Sequence, residues 1–304
     1  MRLFHMRARH THLLPVLILG LVTTGCALSR DTARLDDVAR AGIAYADKIP
    51  PLLDRAFELT VGVDSGALVA ARKDLPEDQR RQMLHDFDAA MAERLTEYAA
   101  AKRHNHLLRS YFLALRTLLE PDGPKGIGDT AKRLTAELGK LSPRLGKARM
   151  GDVSVSGLVE PAATIVVASF KSVVLRRELG ARSAAIEREL ALQEALVTAL
   201  VRQVRADREV LSARFRNDEV LEPYVSGGRL PKTWPARRLR SLRQPADVEA
   251  AVAAERAVRA LRKAYVAALE GRLDAARAAE LAATVEGFVG LALRLGTEAG
   301  RAIR

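Results

Sequence analysis

A single cysteine, Cys26, in 304 residues excludes an intramolecular disulfide and any cysteine metal cluster. Stability has to come from packing. Aromatic residues make up only 4 % of the chain, with one tryptophan, so a core must be assembled mainly from alanine, valine and leucine. Apolar runs are short as well: Leu13–Val22 and Pro161–Phe170 are ten residues each, about 15 Å of helix and half of a bilayer core. Strand alternation is almost missing, with SVSGLV, Ser154–Val159, as the best candidate.

Local signatures of catalysis are equally scarce. There is no Gly-x-Ser-x-Gly elbow, no Ser-x-x-Lys, no His-Glu-x-x-His and no Glu-x-x-His. Beyond the first thirty residues the histidines are His85, His104 and His106, and two residues on a helix turn about 200°, which sends His104 and His106 to opposite faces. They cannot chelate together, and neither a metal nor another cofactor is expected. Glu93 and Glu97 share a face beside Arg94, as in a solvated acidic patch. GPKGIGDT, Gly123–Thr130, has the glycines of a phosphate loop but lacks its closing Lys-Ser/Thr pair and follows a helix, so it reads as an interhelical turn. The expectation is a protein without catalytic activity.

What the chain does have begins at its amino terminus. MRLFHMRARHTH carries Arg2, Arg7 and Arg9 and no acid, and LLPVLILGLV follows, a basic region and an apolar region of signal-peptide length. Thr23, Thr24, Gly25 and Cys26 then resemble the lipobox of bacterial lipoproteins. That resemblance implies removal of residues 1–25 as a signal peptide, a diacylglyceryl group on the Cys26 sulfur and acylation of the new amino terminus. Two or three acyl chains hold a protein on a membrane stably, whereas one does not. Ala27 stands where an aspartate would retain a lipoprotein at the inner membrane, so the resemblance points to the outer membrane, facing the periplasm. The alternative is an ordinary secretory signal cut after Ala27, with Cys26 discarded.

Residues 26–304 read as a single all-α periplasmic domain. Met83, Phe87, Met91, Leu95, Tyr98, Ala101, Leu108, Phe112, Leu115 and Leu119 form a stripe of helical period, which predicts one helix of about 65 Å from Pro76 to Glu120. A second long helix is predicted at 181–225, with Ile186, Leu190, Leu196, Leu200, Val204 and Leu211 inward. Shorter helices are expected at 31–48, 50–72 (restarted at Pro50 and Pro51), 127–147, 159–178, 246–270 and 272–303. Breakers at Lys73–Pro76, Pro121–Gly126 and Gly151–Gly157 keep connections short, which favours an elongated antiparallel helical bundle. YFLALRTL, Tyr111–Leu118, echoes YVAALEGR, Tyr265–Arg272, and suggests a weak two-half organisation, 31–150 and 157–304; chance similarity between alanine- and leucine-rich helices is the plainer account.

Two segments stand apart. In GLVEPAATIVVASFKSVVL, Gly157–Leu175, only Glu160 and Lys171 interrupt the apolar run, which reads as a central buried helix or, alternatively, as a segment that inserts into lipid. Between Glu222 and Asp247 there is no acid, while Arg229, Lys232, Arg237, Arg238, Arg240 and Arg243 surround Trp234, itself flanked by Pro231 and Pro235. A connection this long is usually functional or disordered. An aromatic ring among guanidinium forks suits phosphate or carboxylate partners, and the net charge of +12 leans the same way; a solvated linker whose tryptophan plugs the bundle is the other reading. The chain is therefore expected to be a membrane-anchored envelope lipoprotein, held by its N-terminal lipid. It would act as a non-catalytic binding, accessory or assembly factor for an envelope protein, anionic lipid or cell-wall partner. Nucleic acid is not expected at that location. The competing expectations are a membrane-active protein inserting residues 157–175 and, more remotely, an envelope hydrolase.

Overall fold

The structure, a computed structural model, describes the backbone of residues 14–120, 126–162, 165, 167, 170, 173–243 and 245–302, with side chains from residue 30 to residue 295. The basic region at the amino terminus and the Cys26 side chain lie outside the described residues, as do Pro121–Lys125 of the glycine-rich turn and Val166 of the apolar segment. The helices are α1 Leu14–Ala71, α2 Glu77–Leu119, α3 Ile127–Leu145, α4 Val173–Arg216, α5 Glu222–Val225, α6 Trp234–Leu242, α7 Ala246–Leu269 and α8 Ala275–Ala302. One antiparallel hairpin of two-residue strands, β1 Arg149–Met150 and β2 Val153–Ser154, follows α3, with Arg149 opposite Ser154 and Met150 opposite Val153. The all-α bundle expected from periodicity is what forms.

Ion pairs and packing fix the direction of each helix. On α2, Arg94, Lys102, Arg109 and Arg116 reach Asp64, Asp54, Asp47 and Asp36 of α1 in turn, so α2 descends beside α1. Helix α4 runs parallel to α1: Gln193 meets Tyr45, Asp207 meets Thr60, and Leu211 and Arg214 lie against Gly62 and Gly66. Helix α7 descends along α4, pairing Asp247 with Arg208 and Arg262 with Glu187. Helix α8 rises again beside α1, where Phe288 packs on Tyr45 with ring centroids 5.7 Å apart.

One buried cluster draws on residues from Leu35 to Leu295. Its centre holds Phe112, edge-on to Tyr111 and Tyr265, and the Tyr111 and Tyr265 hydroxyls are 3.2 Å apart. The two tyrosines of the sequence echo thus meet in the core. A Cβ at Gly42 would lie 2.5 Å from the Phe112 ring, so the glycine is what lets α1 and α2 close on it.

Two expectations fail here. Helix α1 does not restart at Pro50 and Pro51; both lie inside it. Proline at position 50 has no N–H for the Ala46 carbonyl, and the buried Asn105 of α2 supplies the missing donor, its Nδ2 donating to Ala46 O at 2.7 Å. Nor are the described residues of 159–172 helical: the helix expected at 159–178 is present there only from Val173, where α4 starts. Gly157, Pro161 and the β-branched run Thr164–Val167 disfavour helix. Its described residues pack as a strap along the bundle, with Ile165 and Val167 half-buried against the core and Phe170 buried. Arg262 clasps it through Glu160 and the Pro161 carbonyl, and Arg176 holds the Phe170 carbonyl at 2.6 Å.

Candidate functional site

The basic segment sits where α4 ends. Residues Asn217–Leu221 form a π turn that widens the helix, α5 closes it, and α6 folds back onto the π turn and α4. The segment expected as an open connection therefore contains a helix. Trp234 begins α6; its Nε1 donates to Val220 O at 3.0 Å and its ring stacks on Tyr224, with centroids 5.7 Å apart. Arg238 lies over the Trp234 ring at 5.8 Å and Arg240 over Phe215 at 4.9 Å, both within reach of cation–π attraction. Arg237 pairs with Glu219, an acid ahead of the acid-free stretch, so that charge is neutralised from outside the segment.

Arg229, Lys232 and Arg243 are exposed and make no ion pair among the described residues. The structure thus gathers the seven residues singled out from sequence onto one cap. It adds what the sequence did not suggest: an apolar complement. Leu242 is 73 % exposed, Tyr224 64 %, Val225 62 % and Leu239 52 %. Leu239 and Leu242 alternate with arginines along the nine-residue α6, while Tyr224 and Val225 end α5.

A second feature was not foreseen. A cleft of about 960 Å³ opens between α7 and α8, with α4 behind it and Glu160 of the strap at its side. Arg256, Lys263, Ala260, Ala264 and Ala267 share the α7 face that lines it, the alanines forming a trough. At its floor the Arg262 guanidinium donates from Nε to Glu187 Oε1, from one terminal nitrogen to Glu160 and Glu194 and from the other to Pro161 O, this last nitrogen also forming an ion pair with Glu187 at 2.8 Å. Burial would lower its pKa, but the Glu187, Glu194 and Glu160 carboxylates hold it above the usual arginine value. Arg259 binds Glu194 Oε1 at 2.8 Å and Glu255 at 3.3 Å. Helical spacing placed these charges on one face, but only the crossing of α4, α7 and the strap brings three carboxylates around one guanidinium.

Two polar clusters are closed to solvent. His104 is fully buried, with Nδ1 3.0 Å from Gln193 Oε1 and Nε2 3.0 Å from Glu189 Oε2; Ser142 Oγ lies 2.6 Å from the same carboxylate oxygen. Both ring nitrogens are engaged, so the cluster ties α2, α3 and α4 together and offers nothing to a substrate. His106 is exposed on the opposite face. Higher up, Asp207 accepts hydrogen bonds from Thr60 and Gln203, while Arg94 bridges Asp64 and Asp152. Burial pushes the carboxyl pKa of Asp207 and of Asp64 up, and the hydrogen bonds and Arg94 oppose this only in part. Glu97 is not merely part of a solvated patch: it accepts the Arg149 N–H of the hairpin at 3.1 Å, and burial raises its pKa too. Among the described residues no group of three or more His, Cys, Asp or Glu could hold a metal ion, and no helix is long and apolar enough to cross a membrane.

No family, curated protein or solved structure matches the chain.

Proposed function

We propose that this protein is a lipid-anchored component of the bacterial envelope, held at the outer membrane through Cys26. It acts there as a non-catalytic binding or accessory factor whose contact surface is the cap formed by residues 217–243. One observation carries the reading: exposed Leu239 and Leu242 on the braced α6 and exposed Tyr224 and Val225 on α5 lie in one short segment with the unpaired Arg229, Lys232 and Arg243. Such a surface matches an anionic envelope partner with an apolar component, and an anionic lipid surface is the partner its amphipathic helix fits best. The lipobox supports the anchor. A labelled fatty acid should be incorporated by the wild-type chain and not by Cys26→Ala, which should also leave the membrane fraction.

Trp234 reports on the cap directly, because it is the only tryptophan. Adding phosphatidylglycerol vesicles to residues 27–304 should blue-shift its emission, and phosphatidylcholine vesicles should not. Changing Arg238, Arg240 and Arg243 to Gln, or Leu239 and Leu242 to Asp, should abolish the shift, and salt should weaken binding by screening. Emission unaffected by anionic vesicles, with crosslinking in cells lost in the arginine variant, would reassign the cap to a protein or cell-wall partner. Crosslinking indifferent to both variants would remove the cap from function.

A further inference from the structure

We infer that the first turn of α4 is a second, direct contact with the anchoring bilayer: Val173 and Val174 enter the boundary between headgroups and acyl chains, and Arg30 and Arg177 meet the lipid phosphates. The inference rests on the proposed lipid at Cys26 and is independent of the cap.

The register between α1 and α4 sets the depth. The two helices run parallel, with Gln193 Nε2 donating to the Tyr45 hydroxyl at 3.3 Å and the Thr60 hydroxyl donating to Asp207 at 2.7 Å. Counted back along both helices from the first contact, Val173 is level with Gly25; from the second, it is level with Cys26. Rise per residue is the same in both, so α4 starts at the height of the lipid-bearing cysteine. A diacylglyceryl thioether puts that sulfur beside the glycerol backbones of neighbouring lipids, where water gives way to hydrocarbon. Helix α2 ends and α8 begins higher: Arg116 pairs with Asp36, and Ala275 and Ala278 lie beside Arg34 and Asp37.

Side chains at this end follow the polarity of an interface. Leu175 and Leu179 are buried, whereas Val173 is 73 % and Val174 59 % exposed. One turn higher, by about 6 Å, Arg177 is level with Arg30 of α1 to within one residue. Both arginines are exposed and make no ion pair among the described residues. Apolar groups below and long cationic chains one turn above let arginine stems run along the acyl boundary while their guanidiniums stay at the phosphates. The amino end of α4 carries no acid in its first turn, and its first N–H groups have no partner within the helix, which suits phosphate oxygens. The neighbouring strap is not free to insert, because Ile165 and Val167 pack against the core and Phe170 is buried. Two valines do not hold a chain of this size on a membrane; the acyl chains do that, and the valines set the bundle upright.

The test places a reporter at the contact. In a Trp234→Phe background, Val173→Trp, Val174→Trp and, on α2, the control Leu84→Trp each supply the only tryptophan. Each chain is purified with its lipid and reconstituted into phosphatidylcholine vesicles, with or without lipids brominated near the top of their acyl chains. Tryptophan at 173 and at 174 should be blue-shifted and lose about half of its emission to the brominated lipid, while tryptophan at 84 should be unaffected. Arg177→Glu should reduce the quenching at 173 by pushing the turn away from the phosphates; quenching indifferent to it would remove the phosphate contact. A chain that floats with the vesicles yet leaves tryptophan unquenched at both positions would overturn the inference and leave the anchor standing. Equal quenching at position 84, the mark of a bundle lying flat, would overturn it too. A chain that does not float removes the anchor, and this contact with it.

Discussion

Between the level of Asp36 and that of Thr60, α1, α2, α4, α7 and α8 each hide a continuous face, whereas above Thr60 the same long helices are largely wetted. The last buried residues are Thr60 on α1 and Asp207 on α4, and on α2 burial begins only at Tyr98. The stripe Met83, Phe87, Met91 that predicted α2 is real, but in the upper arm it is only half-buried, and Leu84 and Leu95 are 50 % and 54 % exposed. Helical period therefore reports that a face is apolar, and says nothing of how many neighbours will cover it. The lower bundle concentrates stability; the upper arm projects the cap.

The sharpest way to break that contrast is to remove packing from its centre. Phe112→Ala should lower unfolding free energy by about 3–5 kcal/mol in a urea titration, since the ring is enclosed by α1, α2 and α7 and the void cannot collapse. Next comes the patch on α1. Asn105→Ala strips the Ala46 carbonyl of its donor and should cost about 1–3 kcal/mol. If the cost is real because of Pro50, Pro50→Ala in that background should restore part of it by returning the backbone N–H.

A smaller effect, of opposite sign, is expected at the boundary between the two regions. Burial raises the Asp207 pKa in the folded state above its unfolded value, so the native state binds the extra proton. Stability from this group is therefore fully present below the ordinary carboxylate range and lost as pH rises through the raised value. Asp207→Asn keeps partners for Thr60 and Gln203 but no charge. It should raise the melting temperature at pH 7 modestly, and the gain should shrink as pH falls and wild-type Asp207 takes up its proton. A variant less stable across that range would mean that the ionised carboxylate is net favourable there. The least effect is expected in the arm: Leu84→Ala should change stability by no more than about 0.5 kcal/mol.

Much of this architecture was readable in the chain because breakers coincide with helix ends. Pro76, Gly126 and Pro245 each directly precede a helix, and α2, α3 and α7 lie within one or two residues of their predicted bounds. The errors share a cause. Pro50 reads as a stop unless a donor arrives from a residue 55 positions away, and that is a tertiary event. The 159–172 stretch reads as helix because it is apolar, while its β-branched residues and the clasp of Arg262 on Glu160 and Pro161 disfavour one. At the cap, composition identified the basic residues and Trp234, yet it could not show that Glu219 would neutralise Arg237 or that leucines of α6 would face outward. Nothing local announced the cleft, because its residues come from α4, α7, α8 and the strap, more than a hundred positions apart at the extremes.

The continuity of α1 has a mechanical meaning. From Arg30 to Ala71 it rises without a hinge for about 60 Å, and the ion pairs from Asp36 to Asp64 lock α2 against it at four heights, so neither helix can slide past the other. Such a hairpin behaves as a ruler. Under the proposed anchor at Cys26, the height of the cap above the membrane is set by residue count, and inserting one residue near the start of α1 would lift the cap by about 1.5 Å while turning it by about 100°. Whatever the cap touches, it touches at a fixed distance and azimuth.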